Sequence, residues 1–452
     1  MRKTTLALLG GTPIAQHAKR QFPLFDAASI RAVTRLLERG ETVGLGRTNA
    51  TIAKAEDVIS AYHGGRHALL LNSGHAALMC ALMGLEIGPG DEVITTPYSW
   101  GASTSCILAV GAIPVFADID PLSGLLDPAK IAAAITRKTK AILLVHIFGQ
   151  PADMPAINRI AKRHNLRVIE DASHAHGATI NGTVVGNFSD AAGFSCMGGK
   201  LLATAEAGYL LTPHKDVFWK AAMMCQHYGR SAEPGFPAAY KQSVDSLVYT
   251  FRLSPIIAAL FPGQFQRLDE QVKARQENVA ILHAALEGCD LIDFPKCKPG
   301  FLSACYYATM NFRPEAAGIT RETFCKALIA EGVGAWPYVP DAIHHWRRLQ
   351  WKGYTGPVPF WLPSLKAAKT DYAAAKLPGC AHKVNHSFEV FMVSYYRPAP
   401  AAMKAMSAAF RKVQDNLAAL AAYEQAQKRT REQGELRAVV AAKRAAATYR
   451  RK

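Results

Sequence analysis

In the stretch AILLVHIFGQPADMPAINRIAKRHNLRVIEDAS (141–173), one apolar run gives way to a segment with helical spacing, then to a second apolar run closed by an acid. Both runs are continuous rather than alternating, as expected of strands covered on two faces, and a helix between two such strands makes a parallel unit. The rhythm extends upstream. ALLLNSG (68–74) precedes the helix-like HAALMCALMGLEIG, DEVITTPYSW (91–100) precedes GASTSCILAVG, and AIPVFADID (112–120) precedes DPAKIAAAITR. The predicted class is α/β, with a mostly parallel sheet flanked by helices. Ligands of such sheets bind at the carboxyl ends of the strands. The candidates are therefore the residues that close each run: Asn72, Ser73, Gly74 and His75; Tyr98, Ser99 and Trp100; Asp118; His146; Asp171, Ser173 and His174; and Ser195.

The pattern changes at a long helical stretch, GQFQRLDEQVKARQENVAILHAAL (263–286). It divides the chain into an N-terminal arm with a large domain (1–270), a smaller C-terminal α/β domain (271–423) and a basic helical tail (424–452). Within the second part, YVPDAIHHWRRLQWKGYTGPVPFWLPSL (338–365) is rich in proline and aromatics and reads as a structured loop. A chain of 452 residues with half of them hydrophobic fits a globular enzyme of two domains. Its start carries basic residues and a short apolar run that breaks at Gly10-Gly11-Thr12-Pro13, so it is not read as a signal peptide. No apolar stretch reaches the roughly 20 residues of a membrane span. The nine scattered cysteines contain no CxxC pair and suit reduced thiols. A cytoplasmic protein without membrane association is expected.

The formal charge is +17. The tail contributes +6 of it, and without interleaved aromatics the excess is a weak nucleic-acid signal. A solvated basic helix is the plain reading, beside attraction of an anionic substrate, a membrane surface or a nucleic acid; no nucleic-acid partner is expected.

Asp171, His174 and His176 could face a metal, but they lie in one turn with no second ligand cluster nearby, and such a trio is more often structural. No metal is expected. The chain has no GxSxG nucleophile elbow, no GxGxxG and no GxxxxGK[ST]. What remains is Lys200 in DAAGFSCMGGKLLATAEAGYLLT (190–212), five residues after Ser195 and preceded by two glycines. A lysine on a glycine-flexed loop between two apolar runs can enter a cleft, be desolvated and attack a carbonyl to form a Schiff base. Alone, the motif reads more readily as a surface lysine in a turn.

It does not stand alone. The series LNSGHAAL, PYSWGAS, GAIPVFADID, VIEDASHAHGA and FSCMGGK, in this order and spacing, resembles the DegT/StrS family of pyridoxal-phosphate (PLP) aminotransferases. LALLGGTP near the start is similar too, and the likeness covers about residues 5–420. The resemblance implies the PLP-dependent transferase fold of type I and the amination of keto-sugars or keto-cyclitols by glutamate or glutamine. It leans towards amino sugars and aminocyclitols of secondary metabolites such as antibiotics. It implies that Asp171 keeps the pyridine nitrogen protonated, that Lys200 holds the cofactor and then moves the proton, and that Trp100 stacks on the ring. Ser73, Gly74, His75 and Ser195 would hold the phosphate, and His174 would lie near the phenolic oxygen. His176 has packing as an equal reading. The family further implies a homodimer with the site at the interface, where Thr250 and Arg252 of YTFRLS would reach across, with Tyr228 of CQHYGR among the acceptor contacts.

Three departures stand out. His75 replaces a usual threonine, AEAG (205–208) replaces GEGG, and Thr250 replaces an asparagine. Two alternatives to transamination fit the residues less well. A sugar dehydratase of this family would carry histidine at the Lys200 position or a closely spaced cysteine set, and the chain has neither. A non-catalytic binding protein would need neither Asp171 nor Lys200.

Overall fold

The computed structural model describes residues 5–15, 21–357 and 359–449, with side chains as far as 433. Its central sheet has seven strands in the order His67–Leu71, Gly208–Thr212, Ala191–Ser195, Arg167–Asp171, Thr139–Val145, Glu92–Thr95 and Ile113–Phe116. All neighbours from Ala191–Ser195 outward to Ile113–Phe116 pair in parallel. Gly208–Thr212 alone runs against its neighbours on both sides. Registers Val145↔Asp171 and Asp171↔Gly193 bring two strand ends level with Gly193, two residues short of the third end at Ser195, so polar residues closing these strands share one rim.

Continuous apolar strands are buried on both faces. In Thr139–Val145, Leu143 and Val145 enter one core while Ile142 and Leu144 enter another, the period of two of a strand. The helix Met154–His164 shows why the intervening segments coil: Asp153 accepts from Ala156 N, Pro155 opens the first turn, and Asn165 closes it in the left-handed region at φ 52°. Its Met154, Ile157 and Ala161 fall on one buried face, and each large aliphatic side chain so covered contributes about 1.5–3 kcal/mol.

A second sheet, in the order Ile292–Asp293, Tyr307–Phe312, Ser387–Phe391 and Ala335–Trp336, is antiparallel throughout. The helix Phe261–Ala285 joins the two cores: Phe261, Phe265, Leu268 and Val272 pack under the large sheet, and Val279 and Leu282 under the small one. Leu6 and Ala15, from the N-terminal arm, enter the second core. Glu331 draws them there, accepting from Ala7 N at 2.7 Å and pairing with Lys412 at 2.9 Å.

The proline- and aromatic-rich segment forms short turns, Ile343–His345 and Arg347–Leu349, and a helix, Leu362–Ala367. It docks beside the strand end after Glu92–Thr95 through Ile343 N to Pro97 O, 2.9 Å. The last helix, Leu417–Tyr449, buries Leu420, and residues 425–433 are all exposed; 450–452 of the expected tail lie outside the described residues. No helix among the described residues is long and apolar enough to cross a membrane.

Candidate active site

Asp171 ends its strand at the centre of the rim. Its Oδ2 accepts from Ser103 Oγ at 2.7 Å and its Oδ1 from Ser173 N at 3.1 Å, while Ser99 Oγ lies 3.0 Å from Ser103 Oγ. Ser103 comes from the helix Ala102–Ala109, which starts immediately after Trp100. A buried carboxylate needs such donors to offset lost solvation. Two other strand-closing candidates turn away from this rim. Asp118 caps the helix Pro378–His386, accepting from Gly379 N and Cys380 N at 2.8 and 2.9 Å. His146 bonds Glu170 at 2.9 Å and accepts from Ala152 N. Both hold the scaffold.

Lys200 lies on the hairpin between Ala191–Ser195 and Gly208–Thr212. Cys196 N to Ala207 O, Thr204 N to Cys196 O and Lys200 N to Met197 O close the loop at 2.8–2.9 Å. The lysine folds inward and is only 8% exposed, with Nζ 5.0 Å from the centroid of the Tyr306 ring. No described residue accepts a hydrogen bond from that Nζ. Burial lowers its pKa to about 8, against the opposing pull of Asp171 and Cys196. The neutral amine, which is the nucleophile, is the deprotonated form and so gains with rising pH. Uptake of an aldehyde by the ligand-free protein should therefore climb through a midpoint near 8 rather than above 10. Initial rates followed by absorbance from neutral to alkaline pH check this, and a midpoint close to that of a free lysine would refute the buried placement.

The same loop holds Ala205 at φ 90°, a left-handed conformation that suits glycine. Where the family pattern has glycine, the alanine is strained, and Ala205→Gly should stabilise the fold by about 1 kcal/mol, after allowing for the greater entropy of unfolded glycine. Denaturant melts of the two proteins measure the difference; a destabilised glycine variant would contradict the strain.

An anion cradle lies beside the lysine. Ser73 caps the helix Gly74–Gly84, its Oγ accepting from Ala76 N at 3.1 Å. The backbone N–H groups of Gly74 and His75 open that helix and have no intrahelical acceptor. Glycine is required at 74, because a Cβ there would meet Ser195 Cβ at 2.5 Å. The Gly208 backbone is pressed equally close, with a Cβ there 2.4 Å from the Ser73 carbonyl. Ser195 is thus held against the helix N-terminus, where the dipole favours negative charge. The His75 imidazole bonds Ser105 Oγ at 3.1 Å. The cradle therefore gains a backbone donor at 75, not the hydroxyl that a threonine would add.

Above the rim, His174 Nδ1 accepts from Phe148 N at 3.3 Å and its Nε2 lies 3.2 Å from Tyr338 Oη. His176 is buried beneath the loop, 3.8 Å from Cys196 Sγ, and burial takes its pKa to about 3, so it packs as a neutral ring. Trp100 is 65% exposed.

The structure thus brings together Asp171, Lys200, His174, Ser73, Gly74, His75 and Ser195, with Trp100 next to Ser99. It leaves Tyr228, Thr250 and Arg252 on the segment 226–253, and among the described residues their side chains make no hydrogen bond to the rim; Phe251 O accepts from Asn72 N at 2.9 Å, so the segment ends beside the cradle. Sequence reasoning missed Ser103, Tyr306 and Tyr338. Ser103 was visible in PYSWGAS at one helical turn from Trp100, while the tyrosines carry no local signal.

Residues 24–357 match the DegT/DnrJ/EryC1/StrS aminotransferase family. An L-glutamine:2-deoxy-scyllo-inosose aminotransferase of Streptoalloteichus tenebrarius is 35% identical over 339 residues, 72% of this chain and 78% of the relative. The spore coat polysaccharide biosynthesis protein SpsC of Bacillus subtilis is 34% identical over 340 residues, 74% of this chain and 85% of its own. A crystal structure of 3-amino-5-hydroxybenzoic acid synthase superposes with a TM-score of 0.72 at 25% identity, over 88% of this chain and 98% of the other. These matches run through the strand ends, the cradle and the lysine loop alike, and the chain belongs to the DegT/DnrJ/EryC1/StrS aminotransferase family.

Proposed function

We propose that the chain is a pyridoxal-phosphate-dependent aminotransferase that moves the amino group of glutamine or glutamate to the ketone of a cyclitol or sugar. The observation that carries it is a buried lysine without a hydrogen-bond acceptor, set between a carboxylate and an anion cradle. The residues present suit the cofactor's chemistry. The Gly74 and His75 N–H groups with Ser195 suit its phosphate, Asp171 its pyridine nitrogen, Lys200 its aldehyde, and the open indole of Trp100 its flat face.

When bound, the cofactor supplies an electron sink and a carbonyl that exchanges amino groups. The protein does the rest. With the cofactor bound, Lys200 Nζ would take the proton from the amine-bearing carbon and later return it. Asp171, held by Ser103 and Ser173, keeps a proton on the ring nitrogen.

The relative's name, with L-glutamine as donor and a scyllo-inosose as acceptor, supports a cyclitol or a sugar of similar shape. We place the protein in the cytoplasm as a homodimer. Leu247, 88% exposed, and Tyr249 offer apolar surface beside Thr250 and Arg252, the residues that would reach a second copy's site. The test is direct. Protein loaded with pyridoxal phosphate should be yellow, bleach with glutamine or glutamate, recover its colour with a keto-cyclitol or keto-sugar from a panel, and scatter light as a dimer. Protein that cannot be loaded refutes the proposal.

A further inference from the structure

Two contacts determine where the His174 proton sits. The Phe148 N–H donates to Nδ1 at 3.3 Å, so Nδ1 carries a lone pair. Burial, with Lys200 and His176 nearby, drives the imidazole pKa well below 6.5, so the ring is neutral. Its one proton is therefore on Nε2, which faces Tyr338 Oη at 3.2 Å and donates to it. The tyrosine oxygen is thus an acceptor towards His174, and its own proton is left over. No described residue accepts it.

Tyr338 is held so that this proton has a fixed direction. Its backbone N–H donates to Glu389 Oε2 at 2.6 Å, and Glu389 also accepts from Thr309 Oγ1 at 3.1 Å and Tyr98 Oη at 3.3 Å. Its ring is lodged against Phe148, Tyr307 and His174 at centroid distances of 5.2–5.6 Å. Phe148 is itself left-handed at φ 59°, a conformation that bulky residues rarely adopt, and it persists here in a buried site. That geometry aims its N–H at His174 while its carbonyl accepts from Tyr306 N at 3.1 Å. Burial, with Tyr307, Asp171 and Glu389 adding to it, raises the phenol pKa, so the hydroxyl keeps its proton.

We infer that Tyr338 donates a hydrogen bond to an anionic or carbonyl oxygen of whatever fills the site between His174 and Lys200. The inference rests on the proposed function, and the oxygen could belong to the cofactor ring or to the substrate. A donor to an oxyanion stabilises the deprotonated form, so its loss keeps a cofactor oxygen protonated to higher pH.

The experiment compares Tyr338→Phe with wild type, both loaded with pyridoxal phosphate. The substitution removes one oxygen and keeps the ring contacts, and melting temperatures are taken alongside. If the cofactor supplies the oxygen, the pH midpoint of the visible band without substrate should rise by about one to two units. If the substrate supplies it, that midpoint should stay and one half-reaction, with donor or with acceptor, should slow by about 10- to 100-fold. A well-folded variant with midpoint and both half-reactions within twofold of wild type overturns the inference alone. A wild type that never takes up the cofactor overturns it together with the proposed function.

Discussion

Lys200→Ala should lose turnover by about 10⁴-fold or more, since it removes both the amine that bonds the cofactor and the base that moves the proton. Among the described residues, Lys200 is the lysine that neighbours both Asp171 and His174, and the space it fills lies over Tyr306. The cradle at Gly74 and His75 and the Asp171 carboxylate are untouched by the change. Cofactor should therefore still bind, without the yellow band, and equilibrium dialysis against absorbance separates the two effects. Lys200→Arg should not rescue: guanidinium stays charged at any working pH and cannot act as a nucleophile. An alanine variant that kept its colour and turnover would remove Lys200 from the chemistry and leave the cradle as a plain anion site.

How much of this was legible before any coordinates depends on how local each signal is. The parallel units around 141–173 were readable because burial on two faces leaves continuous apolar runs. The reversed direction of Gly208–Thr212 was not, since an apolar run carries no sign of its direction. Asp171 was found because motif and strand end coincide, and Lys200 because two glycines precede it on a loop between apolar runs, in series with the other motifs. Asp118 and His146 occupy equivalent strand ends, yet serve a helix cap and a buried bond to Glu170, because partners distant in sequence claim them. Tyr338 lies 164 residues from the His174 it touches, and only the packing of one sheet on another brings them together. Leu6 and Ala15 tell the same story: apolar residues near the start are equally at home in either core, and a single buried glutamate, Glu331, decides.

Asp171→Asn should slow turnover by about 10²- to 10³-fold, the usual loss when one preorganised charge is taken from a reacting site. The shape survives the change. Asparagine can still accept from Ser103 Oγ or from Ser173 N, which bind the two carboxylate oxygens at 2.7 and 3.1 Å, although its amide nitrogen must then face the other donor. What goes is the negative charge, and it has a second effect. Asp171 raises the Lys200 pKa against burial, which holds the net value at about 8. Without it, burial acts with less opposition, so the ammonium becomes harder to keep. The midpoint for cofactor uptake should therefore move below that of wild type, giving the variant faster uptake at neutral pH and slower catalysis. Ser103→Ala offers the graded comparison: it keeps the charge and deletes one donor, and should cost about 5- to 30-fold in rate, with the midpoint near its wild-type place. The two readouts together separate a charge that serves the cofactor from a side chain that merely fills the rim. An asparagine variant with unchanged rate would contradict the first role, and an uptake midpoint displaced upward the second.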